Sequence, residues 1–374
     1  MTRHQLASLL LLSLTLSLAA CPPEVPPEPP PPPSPLDEPL QAALQTALQA
    51  QHTEHQPPGI TAAVSLPGYE PWIATVGVSD LDEEVPMREE DRFKIASVTK
   101  TFVAALVLEQ VDAGVLSLDD TLGTFVDVHP RGDEFTLRAL LNHTAGVEDF
   151  TRTSTFQNGG RREYSDEELA EMVANLPLVN EPGQAFAYSN THFLYLGMLL
   201  STVHEEPWQG VMNRFASELD LQSTHAPVPG SDWEDIVPGY IGDWDRTFSI
   251  LPSMMSASGN MASNVEDLVQ WARLFWGGSL FSDETAAEVT NNPVQVSSSW
   301  DFGLSTIIDS SGGSPVYFHN GSLNGYVSWA GYRPDDELSV AVLANGWVGT
   351  SGSPEFQYSI EIAEALVEVV DDYE

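Results

Sequence analysis

The spacing of apolar positions changes several times along the chain, and each change predicts a different element. Asp37 followed by Pro39 marks a helix start, and Leu40, Leu44 and Leu48 form its apolar stripe. Residues 60–66 and 72–78 then alternate as two strands joined by a Pro67-Gly68 turn. Residues 93–96 end a short strand. From Thr99 to Ala113 the chain is apolar almost all the way round, through Phe102, Val103, Leu106, Val107, Leu108 and Val111. That pattern belongs to a helix buried inside a domain, and Gly114 supplies its stop. Helical spacing dominates residues 115–290, over 137–141, 166–174, 192–203, 208–219 and 265–275. Strands return at 316–318, 325–332 and 338–345, the last two flanking the turn Arg333-Pro334-Asp335-Asp336-Glu337. A final helix is expected over about 356–370. The order predicts an α/β fold whose sheet is built from both chain ends, with a helical subdomain inserted between them. No internal repeat interrupts it.

The first residues follow a different logic. Arg3 and His4 precede a leucine-rich run that closes in Leu18-Ala19-Ala20-Cys21. The run is short for a membrane span and ends in small residues, so 1–20 is expected to be an export signal. Cys21 is the single cysteine of the chain, which excludes an intramolecular disulfide framework and a cysteine metal cage. It stands where bacterial lipoproteins carry their lipid-modified residue, and the Leu-Ala-Ala-Cys stretch resembles that lipobox. Proline dominates 22–35, so 21–36 is expected to be an extended spacer that holds 37–374 up to about 45 Å from an anchored Cys21, at ~3.1 Å per residue. The layout implies a bacterial envelope protein attached to a membrane through lipid only, in the periplasm or on the outer surface. A net charge of -40 excludes nucleic acid and a polybasic membrane contact as partners.

Candidate chemistry centres on Ser97-Val98-Thr99-Lys100 at the head of the buried helix. A serine and a lysine at this spacing lie on one helical face, one turn apart. A serine hydroxyl becomes a competent nucleophile when a neighbouring base takes its proton, and burial lowers a lysine pKa enough to make it that base. Lys100 is one of only two lysines, with Lys94, and it falls inside an apolar helix. A capping serine with a snorkelling lysine gives the same spacing. Two later stretches favour the chemical reading. Tyr188-Ser189-Asn190 lies in a loop before a helix, where a phenol shuttles protons and an amide holds the lysine or a substrate carbonyl. His319-Asn320-Gly321-Ser322 ends the strand at 316–318, where a glycine admits substrate backbone. The N–H after it, with that of Ser97, makes a candidate oxyanion hole.

In that order the three stretches resemble the serine penicillin-recognising family: class C β-lactamases, DD-carboxypeptidases and related esterases. Leu140-Leu141-Asn142-His143-Thr144-Ala145-Gly146 and Ser256-Ala257-Ser258-Gly259-Asn260-Met261 fit the same family, and the resemblance spans about 40–370. It implies an antiparallel sheet flanked by helices, Ser97 as the acylated nucleophile and Lys100 with Tyr188 as the acid–base pair. It further implies Asn190, His319, Gly321 and Ser322 as substrate contacts, with no cofactor, no metal and no obligate protein partner. Its substrate would be a small molecule or a peptide. Which of Lys100 and Tyr188 takes the first proton stays open. The third stretch opens with histidine where most β-lactamases have lysine, which favours the carboxypeptidase-like and esterase-like branches. A non-catalytic binding protein on the same fold is the competing class, and no member of the set is missing. No G-x-S-x-G elbow supports an α/β-hydrolase. Ser258-Gly259-Asn260 also reads S-x-N, but Tyr188 has the loop-before-helix setting. His143 is expected to be structural. His52 and His55 lack carboxylate support for a metal, and the acidic turn at 80–84 does not match a calcium loop. Trp233, Tyr240 and Trp244 lie in a loop that either roofs a pocket or simply packs. The expected function is an acyl-serine hydrolase of the envelope, with D-alanyl-D-alanine carboxypeptidase as the alternative.

Overall fold

The computed structural model describes residues 32–228, 230–347 and 357–373. The expected leader, Cys21 and most of the proline-rich segment lie outside the described residues. From Ser34 onward the chain forms one compact unit. The spacer expected to reach residue 36 is shorter at this end. Ser34 accepts the Glu70 N–H at 2.9 Å beside the Pro67-Gly68 turn, and Leu36 is buried. The turn offers backbone partners that the extended segment takes up.

Nine strands form one antiparallel sheet: β1 (Gly59–Ser65), β2 (Trp72–Asp80), β3 (Val85–Pro86), β4 (Val294–Gln295), β5 (Trp300–Phe302), β6 (Ile307–Asp309), β7 (Val316–Leu323), β8 (Tyr326–Arg333) and β9 (Leu338–Ala344). Their order is β3-β2-β1-β9-β8-β7-β6-β5-β4, so the first hairpin pairs with the last strand and both chain ends build the sheet. The principal helices are α1 (Glu38–His55), α2 (Thr99–Asp112), α3 (Asn190–His204), α4 (Val265–Trp276) and α5 (Gln357–Tyr373).

Strand alternation divides the core in two. Ile60, Ala62 and Val64 of β1 and Val340 and Val342 of β9 meet Leu44 and Leu48 of α1 and Ile362 and Leu366 of α5 on one face. Ala63, Ala341 and Ala330 stand in register across β1, β9 and β8 on the other. Their small side chains let α4 lie close to that face, where Trp271 stacks on Phe102 of α2 at 3.8 Å. Every position of β1 and β9 is therefore buried. Residues 87–293, inserted between β3 and β4, are mainly helical with short strand pairs, one joining Phe93–Lys94 to Ala262–Ser263.

Three local expectations change. Asp37 occupies the cap position of α1 but makes no capping bond, because its carboxylate accepts the Tyr373 hydroxyl of α5 at 3.3 Å. His52 and His55 lie within the last turn of α1, and His55 faces Glu361 at 3.3 Å. The His319–Ser322 stretch lies inside β7, not at a strand end, since pairing with β8 runs unbroken from Tyr317 to Leu323.

Candidate active site

Ser97 sits in a 3₁₀ turn, Ala96–Val98, that runs directly into α2. Ala96 has φ +47°, a left-handed conformation that only surrounding contacts sustain in a residue with a Cβ. Those contacts come from β7 and β8. Ser328 donates its hydroxyl to the Ile95 carbonyl at 2.6 Å. A Cβ on Gly321 would lie 2.5 Å from the same carbonyl oxygen and 2.8 Å from the Ser97 nitrogen. The absence of a side chain at Gly321 thus admits the Ser97 turn itself. Within β7, residues 319–323 pair with β8 on one side, whereas β6 pairs only with 316–318. This part of β7 borders the Ser97 turn. As part of the first turn, the Ser97 N–H has no helical carbonyl to bond.

Lys100 is fully buried one turn on. Its Nζ lies 3.0 Å from Ser97 Oγ, 2.9 Å from Asn190 Oδ1 and 2.6 Å from the Ser258 carbonyl. Burial lowers its pKa to about 7, with Asp149 pulling the other way. Asn190 is oriented unambiguously, because its Nδ2 donates to the Asp149 carboxylate at 3.0 Å and its oxygen must then face Lys100. The other Asp149 oxygen accepts from the backbone and hydroxyl of Thr151. The half-buried Tyr188 presents its ring 5.0 Å from Lys100 Nζ and its phenol to Ser97. Burial drives that phenol well above the ordinary tyrosine range, the bond to Ser97 opposing and Asp149 adding to the rise.

The Tyr188 loop is held by the His143 turn, for which a structural role was expected. Ala187 N–H donates to the His143 carbonyl at 2.8 Å and Ser189 N–H to His143 Nδ1 at 3.3 Å. A backbone N–H only donates, so His143 Nδ1 is an acceptor and His192, 3.0 Å away, donates to it through its own Nδ1. The Ser189 hydroxyl then caps α3 by accepting Thr191 N–H, which sets Asn190 as the first helical residue. His319 is buried, with Nδ1 2.7 Å from the Asn320 carbonyl, and burial plus nearby Lys100 lowers its pKa to about 3. It is neutral at pH 7.

Ser97, Lys100, Tyr188, Asn190 and Gly321 are thus brought together, with the His319 ring 6.4 Å from that of Tyr188. Ser258 also reaches Lys100, but by its carbonyl. Its hydroxyl donates to Met255 and Asn260 turns away to Pro227. Sequence reasoning missed Asp149 and the role of Lys94. Lys94 is fully buried, donates to the Thr247 carbonyl, and lies 4.5 Å from the Trp233 ring and 5.1 Å from that of Tyr326. It ties the 232–250 loop to the strand that leads into Ser97. Trp233 packs against Ala96 and Leu323, Tyr240 is buried, and Trp244 is exposed. Through Trp233 the loop therefore packs against the turn that carries Ser97. A cavity of about 690 Å³ lies elsewhere, between α5 and β7, and is lined by neither Ser97 nor Lys100.

Comparison with known proteins bears on the family and the fold. Residues 44–364 match the beta-lactamase family model. The chain is 25% identical over 332 residues to penicillin-binding protein 4 of Amycolatopsis lactamdurans, covering 81% of this chain and 84% of that one. It is 22% identical over 332 residues to a beta-lactamase of Providencia stuartii, covering 79% and 84%. Among solved structures, D-amino acid amidase from Ochrobactrum anthropi SV3 superposes with a TM-score of 0.81 at 22% identity, over 90% of this chain and 100% of that one. A D-stereospecific amidohydrolase from Streptomyces sp. superposes with a TM-score of 0.73 at 28% identity, over 86% and 98%. The family model covers most of the chain and the fold is shared along nearly all of it, so this protein belongs to the beta-lactamase family of serine hydrolases.

Proposed function

We propose that this chain is an envelope-anchored hydrolase that forms an acyl-enzyme on Ser97 and acts on uncharged esters or amides. The observation that carries the reading is the three-way environment of Lys100 Nζ. A neutral amine has two N–H groups and one lone pair. The Asn190 and Ser258 oxygens are acceptors only, so they take both N–H groups and leave the lone pair facing Ser97 Oγ. With its pKa near 7, Lys100 has a substantial neutral fraction at physiological pH. Tyr188, held as a neutral phenol, is a poor first base and a suitable acid.

In this scheme the Ser97 hydroxyl proton passes to Lys100 as Oγ attacks the substrate carbonyl. The developing oxyanion is met by the N–H groups of Ser97 and Ser322. The proton returns through Tyr188 to the leaving alkoxide or amine, giving acyl-Ser97. Water, deprotonated by the same groups, then releases the acid. Asn190, the β7 edge at Gly321 and the Ser322 hydroxyl hold the substrate, with His319 as a neutral support.

Substrate charge follows from the same groups. A carboxypeptidase holds the free carboxylate of its substrate, which demands a cation or several donors. His319 is neutral, and residues 301–309 contain two aspartates and no basic residue. Arg161, beside the 232–250 loop, is already engaged by Asp232 at 2.8 Å. The name of one structural relative, D-amino acid amidase, fits a substrate that ends in an amide and not in a free carboxylate. The comparison to make is kcat/KM for a short acyl ester against a D-Ala-D-Ala peptide on one preparation. The ester should be favoured, and β-lactams should acylate slowly. A clear preference for the peptide restores carboxypeptidase. Anchoring through Cys21 belongs to the same proposal and rests on the lipobox-like Leu-Ala-Ala-Cys stretch. Among the described residues no helix is long and apolar enough to cross a membrane.

A further inference from the structure

His143 has no part in the acyl-transfer scheme, yet it holds the segment around Tyr188 at three points. Its carbonyl accepts the Ala187 N–H at 2.8 Å and its Nδ1 accepts the Ser189 N–H at 3.3 Å. The chain is thereby tied on both sides of the tyrosine. The His143 ring also backs the Tyr188 ring, 4.2 Å away and tilted by 36°. An imidazole is a costly choice for this place. It is fully buried, with Phe186, Phe193 and Phe302 around it at 5.9, 5.3 and 5.2 Å. With Nδ1 an acceptor, its proton is on Nε2, which is buried without a hydrogen-bond partner among the described residues. A leucine or phenylalanine would fill the space and strand no N–H. What the imidazole adds is the Nδ1 lone pair that takes Ser189. His192 donates its own Nδ1–H to the same atom at 3.0 Å. Burial holds His143 neutral, well below the ordinary histidine range, with His192, Lys100 and His319 adding to the effect.

We propose that His143 is a positioning residue for the acid step: it aims the Tyr188 phenol so that leaving groups too basic to depart unprotonated can be expelled. The inference rests on the acyl-serine reading, with Tyr188 as the group that returns the proton. In that step the bond from Ser97 Oγ to the acyl carbon forms and the bond to the leaving atom breaks. Tyr188 gives its proton to the leaving atom and recovers the one that Lys100 took from Ser97. The phenol faces Ser97 and the ring lies 5.0 Å from Lys100 Nζ, so a displaced loop takes the phenol out of line with both. Lys100 is less exposed to the same displacement. Its partner Asn190 is bonded in its own right to Asp149, and its other partner is the Ser258 carbonyl. Loss of the Nδ1 acceptor therefore falls first on proton delivery. Alkyl esters and amides need that proton, whereas an aryl ester with an acidic phenol releases its anion directly.

The test compares kcat/KM for the ethyl and p-nitrophenyl esters of one acid, with circular dichroism to establish folding. His143→Leu should lower the ethyl ester value by about 10- to 100-fold and the p-nitrophenyl value by about tenfold less. His143→Asn should recover most of that difference, because its amide oxygen replaces Nδ1 and asparagine accepts the φ of +58° found here. In a Tyr188→Phe background, His143→Leu should bring no further loss specific to the ethyl ester. Equal losses on both esters, the same selective loss in the Tyr188→Phe background, or no recovery in His143→Asn overturns the assignment. His192→Phe leaves the His143 turn intact and removes the donor to Nδ1, so it should show a smaller loss of the same selectivity. It decides the question if His143→Leu does not fold, an unchanged selectivity then overturning the assignment. Tyr188→Phe as fast as wild type on the ethyl ester would remove the acid role of Tyr188 and this inference with it. A slow Tyr188→Phe with an unselective His143→Leu removes the inference alone.

Discussion

Asp149→Asn separates the electrostatics of Lys100 from its geometry. The carboxylate never touches Lys100. It acts through the Asn190 amide, by hydrogen bonds of 3.0 and 2.9 Å in series. That chain puts the Asp149 charge about 7 Å from Nζ, where a unit charge at an effective dielectric near 20 is worth about 2 kcal/mol, or somewhat over one pH unit. Asp149 stabilises the ammonium and so raises a pKa that burial has lowered to about 7. Removing the charge lowers it further. With the neutral amine as the base, as proposed, kcat/KM should rise with pH as Lys100 loses its proton. The wild-type acid limb should therefore have its midpoint near pH 7, and the variant's should lie about one unit lower. The assay is kcat/KM for a neutral chromogenic ester between pH 5 and 9, with circular dichroism to establish that both proteins are folded. An unmoved midpoint, or one displaced upward, refutes the reasoning. A lower plateau with the expected shift means only that Asn190 is also less well held.

Other substitutions test other links. Lys100→Ala should slow acylation by about two to four orders of magnitude and Tyr188→Phe should also be slow, as single-turnover kinetics will show; near-normal rates in both would remove the acid–base scheme. Gly321→Ala places a methyl group 2.5 Å from the Ile95 carbonyl oxygen and from Ser328 Oγ, so stability should fall by about 1–3 kcal/mol in urea melts and activity should fall with it. A variant as stable and active as wild type would mean that the Ser97 turn does not need this close approach. Cys21→Ser in the full chain should move the protein from the membrane to the soluble fraction on cell fractionation, and continued membrane association counts against lipidation.

The parts of the fold that were legible in sequence are those whose signal is local. The hairpin at 325–345 showed itself through alternation about a Pro-Asp-Asp turn, and α2 through a run that is apolar on every side. The Ser97–Lys100 pair was legible because one helical turn fixes its geometry. Asp149 was not, since it reaches Lys100 through Asn190, which is 41 positions from Asp149 and 90 from Lys100. Nothing in Gly-Val-Glu-Asp-Phe announces that contact. Lys94 carried a faint signal, as the only other lysine and three residues before Ser97, but its partners Thr247 and Trp233 come from a distant loop. Gly321 was legible as a site of close approach, but not that the Ser97 turn is one of the segments against it. Period-two spacing fixes which face a residue is on, not which segment lies against it. The end of β7 was placed too early because Asn320 and Gly321 read as breakers, and pairing with β8 overrides that preference.

Every role proposed for the other residues depends on Ser97 becoming acylated. The most direct measurement is intact-protein mass spectrometry after rapid quench with a slow ester or a fluorophosphonate, followed by peptide mapping. One adduct per chain is expected, on the peptide containing Ser97, formed faster as pH rises through 7 and absent from a folded Ser97→Ala protein. An adduct of undiminished yield in Ser97→Ala, or turnover of the ester by that variant at the wild-type rate, contradicts it.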